Sequence, residues 1–201
     1  PGVCPLCQNV VESAGSHPFT CNYVDMMNYR HDRHDRLRDT LLGGLSAWGF
    51  RSRREPFIQR GCNLRGDVEV VQTDGPSIID VSVIHPTAVR THQNLSPAAG
   101  TRIQEKVKDN KYGRICDQAE KKLVPFVFQS YGGIGERGLN FLSELKNRPA
   151  FRQVFQPGRF VQSIRTGLSC RFMRFNANLI SRWLQLVLPP SRGGVASNWS
   201  A

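Results

Sequence analysis

A chain of 201 residues carrying a formal charge of +11 is long enough to bury a substantial core and suits one domain with an appendage. It has no apolar run long enough to span a bilayer and no signal-peptide pattern. The positive charge is uneven: no acidic residue follows Glu144, whereas nine Lys and Arg lie between Lys146 and Arg192. A basic surface of this kind most often meets nucleic-acid phosphates, in preference to a membrane surface.

The first chemistry is at the N-terminus. Cys4-Pro-Leu-Cys7, His17 and Cys21 have the spacing C-x2-C-x9-H-x3-C. A tight Cys-x2-Cys turn aims two thiolates at one tetrahedral centre, and a Cys3His shell with no open position is that of structural zinc. Metal binding supplies folding energy that some twenty residues cannot obtain from burial. Such a cluster points to a reducing, intracellular setting. Cys62, Cys116 and Cys170 are scattered and read as buried free thiols.

The charged run from Tyr29 to Leu42 reads as a helix stopped by Gly43-Gly44. His31 and His34 share a face there, but no third metal ligand follows at a useful spacing. His34 is expected instead to pack the helix on the knuckle or on a sheet. A short strand and an irregular connection come next, crowded by Arg51, Arg53, Arg54 and Arg60. These side chains line a nucleic-acid groove or are solvated loop charges.

Asp67-Val-Glu-Val-Val and Ile-Ile-Asp80-Val-Ser-Val read as neighbouring strands, joined through an Asp-Gly turn at Asp74-Gly75. Two such strands bring two carboxylates together, and a carboxylate pair can hold a hard cation such as Mg²⁺. The alternative is one Asp ending a strand and one paired with an arginine. Glu69 is a candidate accessory. A catalytic lysine two residues after the second acid would share its face. That position is Ser82, so the lysine has to come from the following helix, with Lys108 preferred over Lys106 and Lys111 and with Tyr112 beside them.

Residues 85–100 read as a long loop, Ala98 to Gln118 as a helix with Thr101 as N-cap, and Leu123 to Phe128 as a strand in which Pro125 marks an edge or bulge. Gly132, Gly133 and Gly135 turn into a helix over Leu139–Leu145; they lack the ending of a phosphate loop. Strand, strand, helix, strand, helix is an α/β layer architecture. Phe160, Ile164, Leu168, Phe172, Phe175, Leu179, Trp183 and Leu186 then mark one long amphipathic helix, or two broken near Gly167, that packs on the core. Pro189-Pro190 ends it, and a disordered tail is expected from Gly193.

In order and spacing, the knuckle, Arg33-His34-Asp35, Gly66-Asp67, Asp80-Val-Ser-Val and Lys108 to Tyr112 resemble the C-terminal region of site-specific non-LTR retrotransposon proteins, over about residues 4 to 145. The resemblance implies a restriction-endonuclease-like mixed sheet of the PD-(D/E)XK class, flanked by helices. With it, the chain is read as a zinc knuckle at 1–28, an endonuclease domain at 29–150 and, beyond the resemblance, a basic helical extension with a flexible tail at 151–201. It implies catalytic Asp67, Asp80 and Lys108, structural zinc, catalytic magnesium, and nucleic-acid contacts from Arg33, Arg53, Arg54, Lys111 and Tyr112. The implied activity is nicking of target DNA in the nucleus, so that reverse transcription is primed by the exposed 3′ end. The implied partners are target DNA, element RNA and a preceding reverse transcriptase domain, with no membrane and no small-molecule cofactor; the start at Pro1 suggests a piece of a longer polypeptide. Two departures stand out. Gly66 replaces the usual Pro, and the loop between Asp80 and Lys108 is long. A non-catalytic nucleic-acid-binding module on a decayed nuclease fold is the main rival, and a zinc-stabilised docking domain a more distant one.

Overall fold

Four helices surround a four-stranded mixed sheet, and a small hairpin precedes them, in a computed structural model that describes residues 2–11, 15–85, 97–148 and 156–188. The hairpin pairs β1 (Gly2–Val3) with β2 (Val10–Val11). Next come a 3-10 turn at His17–Phe19, α1 (Val24–Ala47), β3 (Ser52–Arg54), β4 (Val68–Val70) and β5 (Ser77–Ile84). The rest is α2 (Pro97–Gln118), β6 (Lys122–Gln129), α3 (Glu136–Asn147) and α4 (Pro157–Val187). The sheet order is β3-β4-β5-β6. β3, β4 and β5 run antiparallel, while β5 and β6 are parallel and joined through α2.

Alternation along the strands gives the sheet two different faces. Val68, Val70, Ile79, Val81, Val124, Phe126 and Phe128 join Leu37, Leu41 and Leu45 of α1 and Phe141, Leu142 and Leu145 of α3 in the main core. Ile78 and Leu123 point the other way, onto Tyr112 and Cys116 of α2. Asp80 and Ser82 follow Ile78 at intervals of two, so both lie on the α2 face. Pro125, opposite Asp80 on the edge strand β6, costs no ladder bond that a further strand would need.

The structure revises several boundaries. Gly43-Gly44 does not stop α1. A Cβ on Gly44 would lie 2.5 Å from Ile164 Cδ1, so the bare backbone seats α4 against α1. Burying Leu41 and Leu45 there outweighs the ~1 kcal/mol that a helical glycine loses relative to alanine. The stop is Gly49, at φ 82°, with Gly49 N bonded to Ser46 O and Phe50 N to Leu45 O, as in a Schellman ending. Thr101 is not an N-cap: α2 begins at Pro97 and encloses it as a buried residue. Cys170 is exposed and Cys62 only half-buried, so Cys116 alone of those three is a buried thiol.

α4 is one unbroken helix. Phe160, Ile164, Leu168 and Phe172 enter the main core, each burial stabilising by roughly 1.5–3 kcal/mol, and Leu179 and Trp183 pack on the knuckle. No helix among the described residues is long and apolar enough to cross a membrane. The expected loop falls mostly on residues 86–96, and the expected helix end and tail on residues 189–201, which lie outside the described residues.

Candidate metal centre and carboxylate face

Local turns build the first site. Cys4 N bonds Asn9 O and Gln8 N bonds Cys4 O, the latter with Gln8 at φ 60°, so the chain doubles back between Cys4 and Cys7. The 3-10 turn then presents His17, and Cys21 N bonds His17 O at 2.8 Å. Ligand atoms of Cys4, Cys7, His17 and Cys21 all fall within 4.8 Å of one another. Cys4 Sγ and Cys21 Sγ are 4.0 Å apart, and Cys7 Sγ and His17 Nε2 are 3.3 Å apart. Bonds of about 2.3 Å to sulfur and about 2.0–2.1 Å to nitrogen around a tetrahedral ion require gaps of roughly 3.5–3.8 Å. The four residues therefore form a cluster able to hold a metal ion and compatible with zinc.

Burial, with the crowding thiols of Cys7 and Cys4, pushes the Cys21 thiol up to about 12. A divalent cation reverses that preference by favouring thiolates. The cluster sits in a small core with Phe19, Met26 and Leu179, and the His17 ring meets Trp183 edge-on at 6.0 Å. Arg30 donates to Cys21 O, tying α1 to the last ligand.

The second site draws on three elements and a strand-flanking loop. Asp67 precedes β4 and joins the ladder through its backbone, Asp67 N donating to Ile79 O at 3.0 Å. Its carboxylate accepts from Val81 N at 2.6 Å, which fixes it against β5 one residue past Asp80. On α2, Thr101, Glu105, Lys108, Tyr112 and Cys116 recur at intervals of three and four, the side turned to the sheet. Lys108 Nζ consequently reaches Asp80 Oδ2 at 2.7 Å as an ion pair, with the two side chains 16% and 6% exposed. Burial first, and the Asp67 charge after it, push the Asp80 carboxyl above its ordinary range, while Lys108 pulls it down. Ser82 Oγ is buried beside this pair and makes no hydrogen bond.

His34 closes the site from α1. Its Nε2 lies 3.0 Å from Val81 O and 3.4 Å from Asp67 Oδ2, while Nδ1 lies 3.2 Å from Asp35 Oδ1. Both ring nitrogens thus face acceptors, which suits the doubly protonated imidazolium. The Asp67 carboxylate, foremost, lifts the His34 pKa to about 9 against the opposing effect of burial. The expectation that His34 packs the helix on the sheet matches this contact.

Other predicted residues are placed differently from one another. Arg33 is 3% exposed, donates to Asn176 Oδ1 at 2.9 Å and lies over Phe172, so its guanidinium is turned into the core and away from phosphates. Burial lowers its pKa to about 10. Tyr112 is buried, with Lys111 Nζ 4.5 Å from its ring centre. Glu69 does not join the aspartates; it holds Lys121 at 2.9 Å and Arg53 at 2.7 Å. Arg53 and Arg54 are exposed at the β3 edge. Sequence reasoning missed the chain Arg33–Asn176–Ser130, in which Asn176 Nδ2 donates to Ser130 O at 2.7 Å. Its signal was one asparagine interrupting the apolar stripe of α4.

Gly66, where the retrotransposon pattern has Pro, has a local reason. A Cβ there would lie 2.3 Å from Ile78 Cγ2, and Gly66 N donates to Pro56 O at 3.1 Å. Only glycine supplies both the space and the donor. No family model matches this chain, and no curated protein matches it significantly in sequence.

Proposed function

We propose that this protein is a metal-dependent DNA endonuclease of restriction-like fold, nicking target DNA for target-primed reverse transcription, with a zinc-bound knuckle at its N-terminus. The observation that carries the reading is the Lys108–Asp80 ion pair of 2.7 Å on the sheet face that Asp67 also lines. Two carboxylates and a lysine on one face, inside a strongly basic chain, are the parts phosphodiester hydrolysis needs. Burial raises the Asp80 carboxyl, and the Lys108 ammonium beside it opposes that rise.

Asp67 and Asp80 would hold the magnesium, which when bound supplies charge stabilisation at the phosphate and a more acidic water. The Lys108 ammonium stands where negative charge develops on the attacked phosphate, and orients water against Asp80. His34 fixes the Asp67 rotamer through one oxygen, and the Val81 amide holds the same oxygen from the strand. Arg53 and Arg54 provide contacts to the DNA backbone.

Nicking of supercoiled plasmid in Mg²⁺ tests the reading. Wild type is expected to nick. Lys108→Ala is expected to be slower by about 10²–10³-fold, the range for losing one donor that stabilises developing charge, and Asp80→Asn to be inactive. Nicking by Asp80→Asn at the wild-type rate sinks the catalytic assignment, and duplex binding without any wild-type nicking favours the decayed module.

A further inference from the structure

The β3 edge of the sheet carries more positive charge than its own ion pairs use. Beyond β3 lies a recess of about 660 Å³ walled by Arg53, Arg54, Phe57, Ile58, Arg60 and Lys121. That size falls among sites for nucleotide-sized ligands, ~300–1,000 Å³. Glu55 is the acidic residue lining it, and Arg38 already holds that carboxylate at 2.6 Å. Glu69 pins Arg53 and Lys121, and Arg54 lies 3.4 Å from Asp39 and 3.8 Å from Glu55, so three of the four cations are held in place by exposed or shared carboxylates. Arg60 makes none of the ion pairs found among the described residues.

Phe57 gives the recess a second chemistry. It is 47% exposed, on a connection where burial does not explain it. The ring is nonetheless held: the Arg65 guanidinium stacks 4.1 Å from its centre, Phe57 and Arg65 form a backbone bridge, and Lys121 Nζ reaches Phe57 O at 3.4 Å. A fixed aromatic ring among cations is a stacking platform for a base whose phosphates sit on the arginines. The location is also suitable. Glu69 follows Asp67 by two residues on the same side of its strand, about 7 Å along, so the recess adjoins the carboxylate face.

We propose that this recess binds single-stranded nucleic acid next to the cleavage point, one unpaired base stacking on Phe57 and the flanking phosphates meeting Arg53, Arg54, Arg60 and Lys121. This deepens the endonuclease reading and rests on its nucleic-acid partner. Duplex DNA fits less well, because paired bases are stacked inside the helix and cannot reach a ring in a recess.

Fluorescence anisotropy on the zinc-loaded chain without Mg²⁺ tests it, with labelled oligonucleotides of about 10–15 nucleotides, long enough for typical single-strand sites. The probes are single-stranded DNA, single-stranded RNA and blunt duplex DNA. Phe57→Ala is expected to weaken single-strand binding by about tenfold, within the range for losing one stacked base, and to leave duplex binding unchanged. Phe57→Trp keeps a ring and is expected to retain single-strand binding; Arg60→Glu weakens it and flattens its salt dependence. Tighter DNA binding assigns the unpaired target strand as occupant, tighter RNA binding the element transcript, and equal binding both. If Phe57→Ala changes neither probe class, or weakens single strand and duplex alike in a chain with wild-type circular dichroism, the proposal is overturned. A wild type that fails to nick plasmid leaves this test intact, so the two readings fail separately.

Discussion

The knuckle and the carboxylate face each bring polar side chains together, yet they are held in opposite ways. All four knuckle ligands come from one stretch of eighteen residues, Cys4 to Cys21, with a core of a few side chains around them. The carboxylate face gathers His34, Asp67, Asp80 and Lys108 from four separate segments, on a sheet whose other face carries a core of seventeen buried residues that includes the first half of α4. The first site has only a few apolar contacts to shape it without an ion. The second is shaped by packing alone.

Removing metal is the strongest way to break that contrast. Apparent zinc affinities of such shells amount to about 10–16 kcal/mol, far beyond what the knuckle's apolar contacts supply. A chelator is expected to expose the amides of residues 2–22 to hydrogen exchange while those of β5 and β6 stay protected. Equal loss of protection in both regions breaks the distinction.

A backbone change should do the reverse. Gly66→Pro introduces the proline of the pattern that the chain resembles, but drives ring atoms toward Ile78 and deletes the bond from Gly66 N to Pro56 O. A loss of about 2–4 kcal/mol is expected from overpacking and the unmade hydrogen bond, measured by urea denaturation, with zinc stoichiometry unchanged. A neutral Gly66→Pro shows that the β4 entry has slack which the packing around Ile78 does not suggest.

The smallest effect belongs to His34. His34→Ala removes a charge-assisted contact to Asp67 and a bond to Val81 O, for roughly 1.5–3 kcal/mol. Its mark should be sharper in plasmid nicking than in denaturation, because Asp67 keeps its Val81 amide but loses its lateral support. Unchanged nicking makes the histidine purely a packing residue.

How far the sequence could be read follows the same division. Cys4, Cys7, His17 and Cys21 were legible because local turns bring them together, and spacing alone encodes local turns. Asp80 was legible as a strand residue, since period-two alternation puts it on a defined face, whereas Asp67, read into the preceding strand, stands just before β4. Arg33 was not: the charge run hides which of its arginines turns inward, and Asn176, its partner, is 143 residues away. The end of α1 was misread because a pair of glycines resembles a stop, whereas Gly44 faces Ile164 of a helix more than a hundred residues later. Spacing carries such information only when both partners share one segment.

Lys108 rides on a helix and not on the strand that carries Asp80, and this makes the position of its ammonium adjustable. A lysine at position 82 would be fixed by the β5–β6 ladder. At 108, its reach depends on how α2 is seated, and that seating is fastened at α3: Arg137 grips Asp109 at 2.6 Å, and the Arg137 amide donates to Glu105 Oε1 at 3.3 Å. A change in how α2 sits on α3 would therefore move the Lys108 ammonium while leaving both aspartates where they are.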